Sequence, residues 1–231
     1  MSASPLILAL DTPDLDTARS WIEATRSTIS IYKTGLEFFL THGAEGIVRL
    51  REAGDFDLFL DLKLHDIPNT VASATKTVSA INPRFLTVHA SGGRDMVKAA
   101  SEAAPHIDIT AVTILTSLSE SAIQEIGYKA NALDSAVNLA KISVEAGARA
   151  IVCSPLEVSA IRTAVGLAPI IITPGVRPAG SDLGDQNRVM TPKDAIAAGS
   201  TLLVIGRPIT SLGDPRLMSE KAKEISESAL A

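Results

Sequence analysis

Eight short apolar runs, each closed by a turn signal, punctuate the chain: 5–11 (PLILALD), 30–35 (SIYKTG), 57–64 (DLFLDLKL), 85–90 (FLTVHA), 109–115 (ITAVTIL), 149–154 (RAIVCS), 169–175 (PIIITPG) and 201–206 (TLLVIG). They recur about every 28 residues. Runs apolar on both faces predict parallel strands covered from both sides, since a half-solvated antiparallel strand would alternate. Between them lie alanine-rich segments at helical spacing, at 14–26, 69–80, 94–103 and 134–146. In the last, Leu139, Ala140, Ile142 and Ser143 precede Gly147, which stands where a glycine commonly ends a helix. Strand and helix alternating eight times, with no Ser/Pro/Gly-rich linker, predict an α/β protein: one (β/α)₈ TIM barrel domain over residues 1–231. An open doubly wound sheet is the structural alternative, but no GxGxxG follows the first run to favour a dinucleotide-binding version.

Composition narrows the function classes. Of 231 residues, 26 are acidic and 21 basic, giving a net charge of −5 with no basic block, which argues against a nucleic-acid footprint or a polybasic membrane patch. The lone Cys153, within an apolar run, excludes a disulfide framework and a cysteine metal cluster and reads as a buried thiol. The opening MSASPLILALD has no basic segment before its apolar run, which stops at Asp11. The longest charge-free stretch, 163–176, falls short of the ~18 to 20 apolar residues a membrane helix needs. A cytoplasmic enzyme or binding protein is expected, with no membrane partner.

Barrel enzymes build their sites at the C-terminal ends of the strands, so charges there are the candidates. Asp11 closes the first run, Lys33 lies in the second, and Asp61 and Lys63 stand two apart in the third. Residues i and i+2 share a strand face, so Asp61 and Lys63 point one way and Leu60, Leu62 and Leu64 the other. A surface ion pair is the plain reading of such a spacing. Five apolar neighbours mark the strand as buried, however, and buried charges are costly unless paired and gather at functional sites. Asp66 either caps the helix that Pro68 begins or carries chemistry. His65 and His89 lack a partner at metal-ligand spacing and read as structural histidines.

The last quarter supplies a second group. Thr173-Pro174-Gly175-Val176-Arg177-Pro178 opens a polar, glycine-punctuated loop reaching Arg188, long enough to act as a lid, and the eighth run ends in Gly206-Arg207-Pro208. Loops after strands seven and eight of barrels often bind phosphate. Gly206 admits an anion to the backbone, Arg207 can fork onto its oxygens, and Gln186 or Arg177 can fold over it. Thr116 and Ser117 present hydroxyls suited to a heterocycle's amide edge, or to capping the following helix.

Taken together, Ala9-Leu10-Asp11, Ile31 to Gly35, Asp61-Leu62-Lys63-Leu64-His65-Asp66-Ile67-Pro68-Asn69-Thr70, Val88-His89-Ala90, Leu115-Thr116-Ser117, Thr173 to Pro178, Gly184-Asp185-Gln186 and Val204 to Thr210 make the chain resemble the bacterial orotidine 5′-phosphate decarboxylases over nearly its whole length. The resemblance implies cofactor-independent conversion of orotidine 5′-monophosphate to uridine 5′-monophosphate and CO₂, the last step of pyrimidine nucleotide synthesis, by a homodimeric barrel. It implies that Lys63 donates a proton to ring carbon 6 within a network of Lys33, Asp61, Lys63 and Asp66. Asp66 and Thr70 would enter the partner's site. Asp11 and Lys33 would hold the ribose, Thr116 and Ser117 the pyrimidine, and Arg177, Gln186, Gly206 and Arg207 the phosphate, with Pro174 a further substrate-binding residue.

Two rivals remain. Magnesium-dependent sugar-phosphate decarboxylases and aldolases share the Asp-x-Lys-x-x-Asp strand but want an acidic ligand near the end of strand two, where this chain has Lys33, with Glu37 further on in a predicted helix. A catalytically silent phosphate-binding barrel would not need all four charges.

Overall fold

In a computed structural model of the chain, residues 4–178 and 190–231 are described. All eight apolar runs form strands: β1 (Leu6–Ala9), β2 (Ile31–Gly35), β3 (Asp57–Leu64), β4 (Phe85–His89), β5 (Asp108–Val112), β6 (Ala150–Val152), β7 (Ile170–Thr173) and β8 (Leu202–Ile205). Each pairs in parallel with its neighbour in sequence, and β8 pairs with β1 to close the barrel. Most strands stop short of the C-terminal end of their apolar run. Leu10, Ile114 and Cys153, each at most 3% exposed, stay buried after leaving the ladder, so the run continues into the loop that builds the site.

The outer layer consists of α1 (Leu15–Thr25), α2 (Leu36–Leu50), α3 (Pro68–Val78), α4 (Gly93–Ala103), α5 (Glu120–Glu125), α6 (Ala132–Glu145), α7 (Val158–Val165), α8 (Pro192–Ala197), α9 (Arg207–Thr210) and α10 (Pro215–Leu230). None of these is long and apolar enough to cross a membrane. Their ends follow local chemistry. Asp14 accepts the Thr17 N–H at 2.7 Å to start α1, and Asn131 accepts the Asp134 N–H at 2.8 Å to start α6, two residues ahead of the expected boundary. At the other end of α6, Gly147 has φ +101°, its N–H reaches the Val144 carbonyl, and the Ala148 N–H reaches that of Ser143. This is the paired closure of a Schellman motif.

Alternation along the strands divides the core in two. Ile7, Ile31, Phe59, Phe85, Ala150, Ile172 and Leu202 fill the barrel interior. Their neighbours Leu6, Leu8, Leu58, Leu60, Leu86, Ile151, Ile171 and Leu203 face the helices. Both strand faces are therefore apolar, as parallel strands between a barrel core and a helical coat require. Phe59 and Phe85 meet edge to face, centroids 5.8 Å apart, an arrangement adding about 0.5–1.5 kcal/mol beyond their burial.

Candidate active site

One pleat above that interior layer, on the same faces, stand Lys33, Asp61, Thr87, Val152 and Val204, each two residues after an interior residue. Polar groups appear where the barrel core ends. Above them opens a cavity of about 300 Å³ at the C-terminal ends of the strands. Asp11, Lys33, Asp61 and Lys63 line one side; Thr116, Pro174, Arg177, Gly206 and Arg207 line the rest, with Val112, Ile114 and Leu115 supplying apolar surface. Nine of the residues singled out from sequence thus converge. Ser117 is exposed and outside the lining, as are Asp66 and Thr70. Gln186 and the rest of the expected lid, residues 179–189, lie outside the described residues.

The four charges alternate in sign. Lys33 Nζ donates to Asp11 Oδ1 at 2.9 Å and lies 3.6 Å from Asp61 Oδ2, while Lys63 Nζ donates to both Asp61 oxygens at 2.8 Å. The middle of the row is the dry part: Lys33 and Asp61 side chains are each 12% exposed, Lys63 is 31% exposed, and Asp11 at 67% faces solvent. Burial by itself would raise the Asp61 carboxyl's pKa, but Lys33 and then Lys63 outweigh it and hold the group below the usual carboxylate value. Burial would likewise lower Lys33, and Asp61 and Asp11 outweigh it in the opposite direction. Both remain ionised because each desolvated charge has an opposite charge against it.

The third strand departs from strict alternation. Lys63 has φ +48°, a left-handed conformation that costs a non-glycine residue about 1–2 kcal/mol, and the β3–β4 register shifts between Leu60 and Leu64. Asp61 and Lys63 still share a side, but Lys63 reaches it from a bulge. Such strain persists where surrounding contacts over-determine it, commonly at functional sites.

Asp66 does not cap α3. Its Oδ1 accepts the adjacent Ile67 N–H at 2.6 Å, and Ile67, at the N-cap, makes no side-chain cap. Pro68 takes the first turn as expected. His65 and His89 meet with their rings tilted at 45°, centroids 5.4 Å apart, and burial, then His65 and Lys63, push His89 below the usual imidazole value. Among the described residues no three His, Cys, Asp or Glu side chains converge as a metal-ligand group. Glu37 lies in the first turn of α2, leaving Lys33 as the charge at the end of β2. Cys153 is buried as expected, and burial pushes its thiol pKa up.

The family model described as "Orotidine 5′-phosphate decarboxylase / HUMPS family" matches residues 4–222. The chain belongs to this family. It is 54% identical over 213 residues to an orotidine 5′-phosphate decarboxylase of Thermobifida fusca, covering 92% of this chain and 91% of that one. It is 46% identical to the Frankia casuarinae enzyme of the same name, covering 92% and 84%. Among solved structures, the Lactobacillus acidophilus orotidine 5′-phosphate decarboxylase superposes with a TM-score of 0.85 at 32% identity, covering 99% of this chain and all of that one.

Within the family's barrel, sequence reading missed one member of the site. Thr87, fully buried on β4, donates to Asp61 Oδ1 at 3.0 Å and accepts the Lys63 backbone N–H at 2.8 Å. Its only sequence signal is parity: it stands two after Phe85 and two before His89, hence on the inward face.

Proposed function

We propose that the protein decarboxylates orotidine 5′-monophosphate to uridine 5′-monophosphate and CO₂, without a cofactor, as a homodimer with shared sites. The observation that carries the reading is the alternating Lys33–Asp61–Lys63 row lining a cavity that Gly206 and Arg207 also line.

The chemistry fits that arrangement. When the bond between ring carbon 6 and the carboxylate breaks, CO₂ leaves and the electron pair remains on carbon 6, with no adjacent group to delocalise it. A fixed ammonium in a water-poor pocket stabilises that charge. Lys63 supplies it, then passes a proton from Nζ to carbon 6, leaving a neutral amine. Asp61, bonded to the ammonium through both oxygens, aims it. A substrate carboxylate against Asp61 meets like charge, a repulsion removed as neutral CO₂ forms. Asp11 and Lys33 take the ribose, Thr116 and Ser117 the pyrimidine, and Arg177, Gln186, Gly206 and Arg207 the phosphate, with Pro174 against the substrate as well. Binding energy from that distant phosphate drives closure over the reacting carbon.

Asp66 and Thr70 serve the partner's site. Both are exposed and stand away from their own cavity, which supports that reading. The test is to follow the ultraviolet change of orotidine 5′-monophosphate with and without a chelator. Turnover unaffected by chelator is expected. A metal requirement would favour the magnesium-dependent rival, and tight binding without turnover the silent barrel.

A further inference from the structure

Beside the bulge, Leu60 pairs with Leu86 and Leu64 with Val88, so β3 advances four residues while β4 advances two. The surplus segment carries Asp61 and Lys63. The residue of β4 that faces it is Thr87, with no exposed surface. A backbone N–H displaced from a ladder needs another acceptor, and the Lys63 N–H finds Thr87 Oγ1 at 2.8 Å. With that N–H as its donor, the hydroxyl gives its own proton to Asp61 Oδ1 at 3.0 Å. One side chain thereby joins the backbone of Lys63 to the carboxylate that holds the Lys63 ammonium at 2.8 Å.

Resting on the decarboxylase reading above, we propose that Thr87 is a positioning residue that holds Lys63 in its left-handed conformation and fixes the rotation of the Asp61 carboxylate, so that the ammonium faces the reacting carbon. Thr87 is not part of the cavity lining and acts through these two residues. The role needs a group that accepts and donates at one point. Serine meets that need; valine fills the same volume and does neither. Without the hydroxyl, the Lys63 N–H has no acceptor and the φ of +48° has no anchor. The segment then relaxes toward extended backbone, which redirects a side chain whose direction alternates with each residue.

The test compares Thr87→Val and Thr87→Ser in the full-length protein. Thr87→Val is expected to lower kcat about tenfold or more and to leave KM within about threefold, because phosphate and ribose contacts lie elsewhere. Its acid limb should move to higher pH, since Asp61 loses a donor that favours its ionised form. Thr87→Ser should restore kcat and the pH profile. Crystal structures supply a readout independent of turnover: in Thr87→Val, Lys63 leaves positive φ and its Nζ leaves Asp61. If the wild type failed to turn over orotidine 5′-monophosphate, the decarboxylase reading would fall, and the Lys63 backbone in Thr87→Val would still decide whether Thr87 holds it. Should Thr87→Val not fold, Thr87→Ala is read the same way. Wild-type kcat, an unmoved acid limb and Lys63 retained at positive φ would overturn the proposal, as would a lower Tm with unchanged kinetics.

Discussion

Lys33 and Asp61 stand 3.6 Å apart across neighbouring strands, each 12% exposed, and each keeps the other charged against the burial that opposes it. Neither would be tolerated alone at that depth, since an unpaired buried charge is strongly destabilising. Asp11 extends the row to solvent on one side and Lys63 into the cavity on the other.

Stability should therefore depend on pH at both extremes. Asp61 has a folded pKa below its unfolded value of about 3.9, so its contribution is complete above that pH and is lost as pH falls through the folded value. Lys33 has a folded pKa above 10.5, so its contribution is present below that pH and is lost as pH rises through the folded value. Urea unfolding across pH should show Asp61→Asn with a shallower decline than wild type below about pH 4. Parallel acid declines would mean that Asp61 is not stabilised in its ionised form by the row.

Replacing Lys63 with Ala should abolish turnover while retaining uridine 5′-monophosphate binding, because the proposed phosphate and ribose contacts lie on other strands. Steady-state rates and calorimetric titration check the two halves separately. Residual turnover within about tenfold of wild type, a loss of only ~1.4 kcal/mol, would remove Lys63 from the chemistry.

Much of this was legible because parallel strands advertise themselves: residues 57–64 are apolar enough that Asp61 and Lys63 stand out against their neighbours. The bulge was not legible. In Asp-Leu-Phe-Leu-Asp-Leu-Lys-Leu the leucines keep a two-residue spacing from Leu58 to Leu64, and no glycine marks the residue at φ +48°. Thr87 was hidden for a related reason, since threonine is an ordinary β-strand residue and its hydroxyl acquires meaning only opposite the surplus segment. Thr116 and Ser117 show a third limit. Adjacent hydroxyls look equivalent in sequence, yet the loop turns Thr116 into the cavity and leaves Ser117 exposed.

Arg207 begins α9 directly after Gly206, and both line the cavity. Arg207→Ala should raise KM and lower kcat/KM for the phosphorylated substrate by about 10- to 100-fold, the loss expected for hydrogen bonds to a charged group worth about 1.5–3 kcal/mol. Activity on orotidine, which lacks the phosphate, should change little. Equal losses on the two substrates would show that Arg207 acts on something other than phosphate.

Asp66 offers the sharpest test, because its carboxylate accepts its neighbour's N–H at 2.6 Å and stands outside its own cavity lining. If it serves a partner's site, Lys63→Ala and Asp66→Ala proteins, each nearly inactive, should complement when mixed equally and allowed to exchange subunits. In a mixed two-fold dimer, one site loses both residues and the other keeps Lys63 from one chain and Asp66 from its partner. Random pairing makes about half the dimers mixed, each with one intact site of two, so roughly a quarter of wild-type activity should return. Were Asp66 to act within its own chain, every site would stay defective however the subunits paired. Native mass spectrometry reports whether exchange has occurred, and exchanged dimers without recovered activity would confine Asp66 to its own barrel.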